Sequence, residues 1–177
     1  MMPTPHSPRV SLIAALGKNR ELGRGNELLW PIPDDLKRFK QLTLGHPVIM
    51  GRKTYDSILA ALGKPFPGRT SIVLMREAEF NPGDPALKYE QVLVAHSPEE
   101  ALKKAGALDS EEIFIGGGAQ IYKLMLPYAD RLYLTLIDDT KEADAYFPAY
   151  EQLFTKKLSE ELREHSGLKY SWVTLEK

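Results

Sequence analysis

Short apolar runs that alternate with segments of helical periodicity constrain this fold more than any other feature of the sequence. The first run, residues 10–16, is almost free of polar side chains, and similar runs occupy residues 48–50, 70–75, 92–95 and 113–115. Short unbroken apolar runs are typical of strands that are covered on both faces, as in a parallel sheet. The alternation therefore predicts an α/β fold.

The C-terminal part predicts one further strand and a hairpin. Residues 131–138 alternate strictly, and Tyr133, Thr135 and Ile137 share the face opposite the leucines. Residues 154–162 and 170–176 flank a Ser-Gly turn and predict a hairpin that closes the sheet edge. We expect one α/β domain over residues 10–177, with a mostly parallel central sheet of about eight strands, an antiparallel C-terminal hairpin and about four flanking helices. Residues 1–9, which contain three prolines, are predicted to form a flexible extension.

The composition argues against several classes of function. A net charge of −1 gives no electrostatic footprint for nucleic acid, and no apolar run approaches the ~20 residues that span a bilayer. Cysteine is absent, which excludes disulfides, thiolate metal sites and cysteine nucleophiles. We expect a cytosolic monomer that acts on a small molecule and holds no metal.

The segment WPIPDDLKRF, residues 30–39, places a carboxylate among side chains that should pack a core. Its two prolines predict a helix that begins near Pro33 or Asp34. Asp35 then lies on the same helical stripe as Phe39, so it points inward or half inward. Two interpretations stay open for Asp35: an acid satisfied by the helix N-terminus, or a functional carboxylate. Thr135 lies on a face that should be buried, and we predict that its hydroxyl group pairs with Asp35.

Two junctions between a strand and a helix predict anion sites. Residues 51–54, Gly-Arg-Lys-Thr, join a glycine, two cations and a hydroxyl group at a helix N-terminus, where N–H groups bind phosphate oxygens. Residues 116–118 are three glycines, which let the backbone press on a pyrophosphate. Their spacing does not match the Rossmann fingerprint. A nucleotide site of another kind and a simple tight turn both remain open.

Two arginines and one loop complete the candidate site. Arg69 follows a corner rich in proline and glycine, which suits bidentate recognition of a carboxylate. Arg76 ends a predicted strand at the edge where open α/β sheets bind ligands. Residues 17–29 form a polar loop that contains glycine, and they are either a mobile lid or an ordinary surface connection.

Seven motifs, in this order and with only small insertions between them, resemble those of dihydrofolate reductases: SLIAALG, LLWPIPDDLKRF, VIMGRKT, PFPGR, IVLMRE, GGGAQIY and LYLTLID. The resemblance runs from about residue 10 to residue 150, and the hairpin beyond it matches only in pattern. It implies reduction of 7,8-dihydrofolate to tetrahydrofolate, with a hydride passing from NADPH to pterin C6 and a proton arriving at N5. Such a reaction supplies one-carbon metabolism.

The resemblance also implies the residues that bind substrate. Asp35 falls on the pocket carboxylate that hydrogen-bonds the pterin and supports protonation of N5 through water. Thr135 falls on the hydroxyl that braces the carboxylate, Trp30 on the residue that helps to hold the water, and Arg69 on the clamp for the glutamate α-carboxylate. The implied catalytic set is Asp35, Trp30, Thr135 and Leu28. The implied substrate-binding set is Ile13, Ala14, Ala15, Asp35, Leu36, Phe39, Ile58, Arg69, Tyr122 and Thr135.

On the cofactor side, residues 52–54 match the contacts to the pyrophosphate and the 2′-phosphate. Arg76 matches the residue beside the adenosine phosphate, where an arginine favours NADPH over NADH, and Gly117-Gly118 match a cis Gly-Gly pair. The implied cofactor-binding set is Ala15, Gly23, Asn26, Leu28, Gly51, Arg52, Lys53, Thr54, Leu74, Met75, Arg76, His96, Gly117, Gly118, Ala119, Gln120 and Ile121.

The chain departs from the family pattern at Gly116, Leu29, Ala143 and Ala145, which bear on the pterin wall and the lid. The sequence leaves two alternatives to the reductase. A pyrimidine reductase of riboflavin synthesis shares the fold but lacks the start of the helix that carries Asp35. A non-catalytic nucleotide-binding module would have no use for the retained acid.

Overall fold

The computed structural model describes residues 7–109 and 111–177, which form eleven strands and four α-helices. The strands are β1 (Arg9–Leu16), β2 (Glu21–Arg24), β3 (Glu27–Leu28), β4 (Val48–Gly51), β5 (Ser71–Leu74), β6 (Val92–Ala95), β7 (Glu112–Ile115), β8 (Arg131–Ile137), β9 (Ala145–Tyr146), β10 (Lys156–His165) and β11 (Leu168–Glu176). The helices are α1 (Pro33–Thr43), α2 (Arg52–Leu62), α3 (Pro98–Leu108) and α4 (Ala119–Met125).

Eight of the strands form the central sheet, in the order β10-β11-β8-β1-β7-β4-β5-β6. The six strands from β8 to β6 run parallel, whereas β11 runs antiparallel to both β8 and β10. The predicted fold class is therefore confirmed. The carboxyl ends of β1, β4 and β7 meet at one edge of the sheet, and the chain enters α1, α2 and α4 beyond that edge.

Two apolar clusters cover the faces of the sheet. On one face, side chains of α1 and α2, including Phe39 and Tyr55, pack against Ile13, Phe114 and Tyr133. On the other face, side chains of α3 and α4 pack against the leucines of β1 and β8. Thr135 belongs to the first face because it alternates with those leucines. The side chains that cover Thr135 and complete a site around it must therefore come from α1, α2 or the hairpin.

The segment 17–29 differs from the polar loop that the sequence predicts. It contains β2 and β3, and β2 pairs with both β3 and β9 in a separate three-stranded sheet. Glu21 explains the order of this segment, since its carboxylate is buried and accepts N–H groups of Asn19 (2.5 Å) and Lys141 (3.0 Å). Such a carboxylate fastens the start of the segment to the chain that follows β8.

At the N-terminus, β1 begins at Arg9, one residue before the predicted domain boundary, and Arg9 Nε donates to Glu112 at 3.2 Å. The first six residues of the predicted extension lie outside the described residues. Across residues 7–109 and 111–177, no helix combines the length and the apolar character needed to cross a membrane.

Candidate active site

Asp35 lies in the first turn of α1, half-buried and directed at β8. Ile32 precedes the helix and provides no side-chain cap, and Pro33 fixes the first helical position. Thr135 Oγ1 donates to Asp35 Oδ1 at 2.5 Å, so the structure joins the two residues that the sequence predicts to pair. Asp34, one position earlier, points away from Thr135 and pairs with Arg163 of β10.

A second donor to the same carboxylate comes from a residue that the sequence analysis missed. Trp172 of β11 lies directly across from Thr135 in the sheet, and its Nε1–H donates to Asp35 Oδ1 at 2.9 Å. The period of two along β11 places Tyr170 and Trp172 on one face, and this alternation is visible in the sequence. The signal could not select Thr135 as the neighbour, because the pattern does not fix the register of the hairpin.

Trp30 donates its indole N–H to an acid other than Asp35. Its side chain is buried, and its Nε1–H donates to Asp139 Oδ2 at 3.0 Å. Lys141 lies over the indole ring, with Nζ 5.5 Å from the centroid. The hydrogen bond from Trp30 lowers the pKa of Asp139 from its ordinary value. While this bond is made, the indole N–H is not free to hold a water molecule beside Asp35.

Apolar side chains line the space between Asp35 and Arg69. Phe39 and Ile58 are half-buried and pack against the cluster under α1 and α2. The rings of Phe39 and Phe66 lie 5.4 Å apart, which extends the apolar wall along α1. Leu36 is about half exposed on the open side. Ile13 is buried within the floor and Ala15 packs beside Trp30.

Arg69 is a buried cation at the far end of α1. Its side chain donates to the carbonyl of Pro67 at 3.0 Å and to Thr43 Oγ1 at 3.1 Å, and it lies over the ring of Phe66. Burial lowers the pKa of the guanidinium. Among residues 7–109 and 111–177, it forms no ion pair with a carboxylate. A buried cation without a counter-ion suits an anionic ligand group.

Two of the predicted side chains lie on the opposite face of the sheet, and a third is buried between β1 and α4. Ala14 and Leu74 point into the apolar cluster on the opposite face of the sheet, so only their main chain is placed to meet a ligand. Tyr122 is fully buried in the same cluster, and its hydroxyl group donates to the carbonyl of Ile13 at 2.6 Å. The period of two along β1 and β5 accounts for the direction of the Ala14 and Leu74 side chains. Tyr122 braces β1 against α4.

Two helix N-termini meet across a glycine-lined gap at the carboxyl edge. Gly51 N donates to the carbonyl of Gly117 at 2.8 Å, and the Gly117-Gly118 peptide is cis, as the resemblance implies. A Cβ at Gly118 would lie 3.3 Å from Thr54 Oγ1, and one at Gly51 would lie 3.0 Å from Ile121. The first turns of α2 and α4 have no side-chain cap, so their N–H groups stay available to an anion.

The cations near this gap are not equivalent. Arg52 forms ion pairs with Asp56 at 2.8 Å and Asp84 at 2.7 Å, which the sequence analysis did not anticipate. A ligand phosphate would have to compete with both acids for Arg52. Lys53 and Arg76 are exposed, and neither forms an ion pair within the described part of the chain.

The remaining cofactor-side residues line the ends of β5, β6 and α4. His96 Nδ1 lies 2.9 Å from the carbonyl of Met75, which fixes the imidazole beside β5. Met75 itself is buried. Ala119 and Gln120 open the first turn of α4, and Gln120 is exposed.

The β2–β3 hairpin, which we call the lid, lies against α2. Gly25 N donates to Asp144 Oδ2 at 2.9 Å, and Asp144 N donates to the carbonyl of Gly23 at 3.1 Å. Ser57 Oγ of α2 donates to the carbonyl of Asn26 at 3.3 Å. Leu28 of β3 is well exposed. The substitution of alanine at 143 and 145 leaves the lid fastened, because these contacts use main-chain atoms and Asp144.

Uncapped helix N-termini at the carboxyl edge of a parallel sheet are typical of an α/β protein that holds a nucleotide. The model of the family described as dihydrofolate reductase matches residues 9–177. The chain therefore belongs to the dihydrofolate reductase family, and its class is that of the NADP-linked oxidoreductases.

Individual relatives agree with this assignment. The chain is 45% identical over 149 residues to the dihydrofolate reductase type 3 of Salmonella typhimurium, covering 84% of each chain. It is 40% identical over 167 residues to the dihydrofolate reductase of Neisseria meningitidis serogroup B, covering 93% of this chain and 96% of the relative. The solved dihydrofolate reductase of Enterococcus faecalis, complexed with NADP(H) and RAB-propyl, is 29% identical, with a TM-score of 0.81 over 97% of both chains.

Proposed function

We propose that the protein reduces 7,8-dihydrofolate to 5,6,7,8-tetrahydrofolate, with hydride delivered to pterin C6 and a proton to N5. The observation that carries the proposal is the placement of two groups at the ends of one helix. Asp35 lies in the first turn of α1, and Arg69 is bonded to Thr43 in its last turn. Thr43 lies eight positions after Asp35 in α1, which is about 12 Å along the helix axis.

Dihydrofolate carries complementary groups in the same order. Its pterin ring presents N–H donors, which suit the carboxylate of Asp35. Its glutamate presents carboxylates, which suit the buried guanidinium of Arg69. The aryl group between them would lie along the wall formed by Phe39, Ile58 and Phe66. A ligand with only one of these ends would leave either the acid or the cation without a partner.

The residues at the carboxyl edge fit NADPH. The uncapped N-termini of α2 and α4 and the gap kept open at Gly51 and Gly118 suit a pyrophosphate, and exposed Lys53 and Arg76 suit the additional phosphate. When bound there, NADPH supplies the hydride. The chain's own contribution is to hold the two rings in contact and to exclude water, which is the role we assign to the lid and to Leu28.

In this mechanism Asp35 orients the pterin and supports protonation at N5. Thr135 holds the carboxylate in place from β8. Two acids near the site have other partners: Asp34 pairs with Arg163, and Asp139 accepts the N–H of Trp30. Asp35 is thus the carboxylate that we assign to the reacting ring.

The test is the loss of NADPH absorbance when dihydrofolate is added to the purified protein. We expect a steady loss that requires both compounds and that falls strongly in Asp35→Asn. A matched control is Asp34→Asn, which alters the neighbouring acid and should retain most of the activity. No loss of absorbance at any pH near neutrality would end the proposal.

A further inference from the structure

The carboxylate of Asp35 is held unevenly by the protein. Both Thr135 Oγ1 and Trp172 Nε1 donate to Oδ1, at 2.5 and 2.9 Å, whereas no described residue donates to Oδ2. We propose that Trp172, on the C-terminal hairpin, is a positioning residue for Asp35: its indole N–H fixes Oδ1 and leaves Oδ2 to the ligand. This inference rests on the proposed function, because it assigns Trp172 a part in that reaction.

The sheet register brings the two donors to one oxygen. Trp172 is paired with Thr135, and Thr135 is paired with Ala15 on the other side of β8. Directly opposed side chains of neighbouring strands start about 5 Å apart and project from the same face. The hydroxyl and the indole N–H therefore converge on the first turn of α1. A shift of one residue in the hairpin would send the indole to the opposite face.

Two arginines hold the indole of Trp172. The guanidinium carbon of Arg163 lies 4.2 Å from the ring centroid, and that of Arg38 lies 5.0 Å from it. Cation–π contacts at these distances are favourable. Arg163 also pairs with Asp34 at 3.2 Å, which ties β10 to the same turn of α1 that carries Asp35. The donor is therefore fixed relative to its acceptor from both sides.

Saturation of one oxygen determines what the other can do. A carboxylate oxygen offers about two lone-pair sites, and both sites on Oδ1 are used by the protein. Ring N–H donors of a ligand would then meet Oδ2, so Trp172 selects the orientation in which the carboxylate presents a single open acceptor. The indole N–H of the other tryptophan, Trp30, donates to a different carboxylate, that of Asp139.

Nuclear magnetic resonance of the two indole N–H groups tests this pairing without any assay of activity. The chain has two tryptophans, and the variants Trp30→Phe and Trp172→Phe assign the two signals. In the ligand-free protein, Asp35→Asn should move the Trp172 signal and leave the Trp30 signal in place. Asp139→Asn should do the reverse. A Trp172 indole resonance that does not move in Asp35→Asn would overturn the inference, even if the protein reduces dihydrofolate as proposed.

The kinetic test uses Trp172→Phe, which keeps an aromatic ring but removes the donor. Loss of a hydrogen bond to a charged group predicts hydride transfer in a single turnover that is slower by roughly 10- to 100-fold. Affinity for dihydrofolate should fall and affinity for NADPH should not change. The control is Tyr170→Phe, which lies on the same face of β11, keeps an aromatic ring and removes only a hydroxyl group.

The outcomes separate the two proposals. Equal losses for both ligands in Trp172→Phe, or a similar loss in Tyr170→Phe, would show that the hairpin acts only on the fold and would refute the positioning role. Wild-type rates in Trp172→Phe would refute it as well. Should the wild-type protein fail to oxidise NADPH with dihydrofolate, the proposed function falls, and the indole signals still decide whether Trp172 holds Asp35. Should Trp172→Phe fail to fold, Asp35→Asn still tests the contact with Trp172 intact.

Discussion

Replacement of Arg69 by leucine separates substrate binding from stability. Arg69 is 6% exposed, and its guanidinium is bonded to neutral acceptors, the carbonyl of Pro67 and Thr43 Oγ1. If a ligand carboxylate completes a desolvated ion pair with it, loss of the cation costs about 2 to 5 kcal/mol of binding free energy. That range corresponds to a rise of roughly 30- to 5000-fold in the Kd for dihydrofolate.

The free protein should respond differently to the same change. Burial lowers the pKa of Arg69, which shows that its charge is disfavoured before ligand binds. Leucine removes this desolvation cost together with two hydrogen bonds, so the terms oppose each other and the Tm should change little. Arg69→Lys keeps the charge but loses the planar fork, and it should give an intermediate affinity.

The assay is titration of the wild type and both variants with dihydrofolate, with NADPH and with a dihydropterin that lacks the glutamate. We expect a loss of affinity for dihydrofolate alone. Equal losses for dihydrofolate and NADPH would refute the reasoning, because they would make Arg69 a structural residue. An equal loss for the dihydropterin would refute it too, since that compound has no carboxylate to pair.

Three further predictions concern Asp35, the hydrogen bond between Trp30 and Asp139, and Gly116. Asp35→Asn should slow hydride transfer by roughly 100-fold or more and shift its optimum to lower pH, where solvent supplies the proton; an unchanged rate at neutral pH in stopped-flow measurements would contradict this. The hydrogen bond from Trp30 lowers the pKa of Asp139 from its ordinary value of 3.8. This contact therefore contributes fully to stability at pH values above 3.8, and its contribution is lost as the pH falls through the lower pKa of the folded state. The indole N–H resonance of Trp30 should therefore stay constant on acidification until the pH is below 3.8. A change in this resonance with its midpoint above pH 3.8 would count against the pairing. A Cβ at Gly116 would lie 2.9 Å from Val48 Cγ1, so Gly116→Ala should destabilise the protein by about 1 to 3 kcal/mol in denaturant titrations, and Val48→Ala in the same chain should relieve the loss.

The parts of the site that follow from local pattern were predictable. The prolines before α1, together with the spacing of Asp35 and Phe39, indicate where the acid lies and which way it points. The strict alternation of β8 indicates that Thr135 is on a buried face and needs a partner. Each of these inferences uses residues within two turns of helix or one strand, and the structure joins Asp35 with Thr135 accordingly.

The parts that depend on register between distant segments were not predictable. Asp35 and Trp172 are separated by 137 residues, and their contact exists because β11 pairs with β8 in one register. Alternation shows which residues of a strand share a face, but it does not show which neighbour each will meet. One of the two acids that pair with Arg52 has a similar origin: Asp84 comes from a loop without periodicity, whereas Asp56 lies four residues away in α2.

The same distinction explains why the sequence predicts a polar loop over residues 17–29, where the structure has the β2–β3 hairpin. A buried charge is stable only where several donors satisfy it, and Glu21 finds one of its donors, Lys141 N, 120 residues along the chain. In the sequence of residues 17–29 alone, Glu21 is one polar residue among several in a stretch without apolar periodicity. In the folded protein it fixes the base of the lid, just as Trp172 fixes Asp35. In both places a carboxylate of the N-terminal part is held by a donor from the C-terminal half of the chain, so its orientation depends on contacts between distant segments.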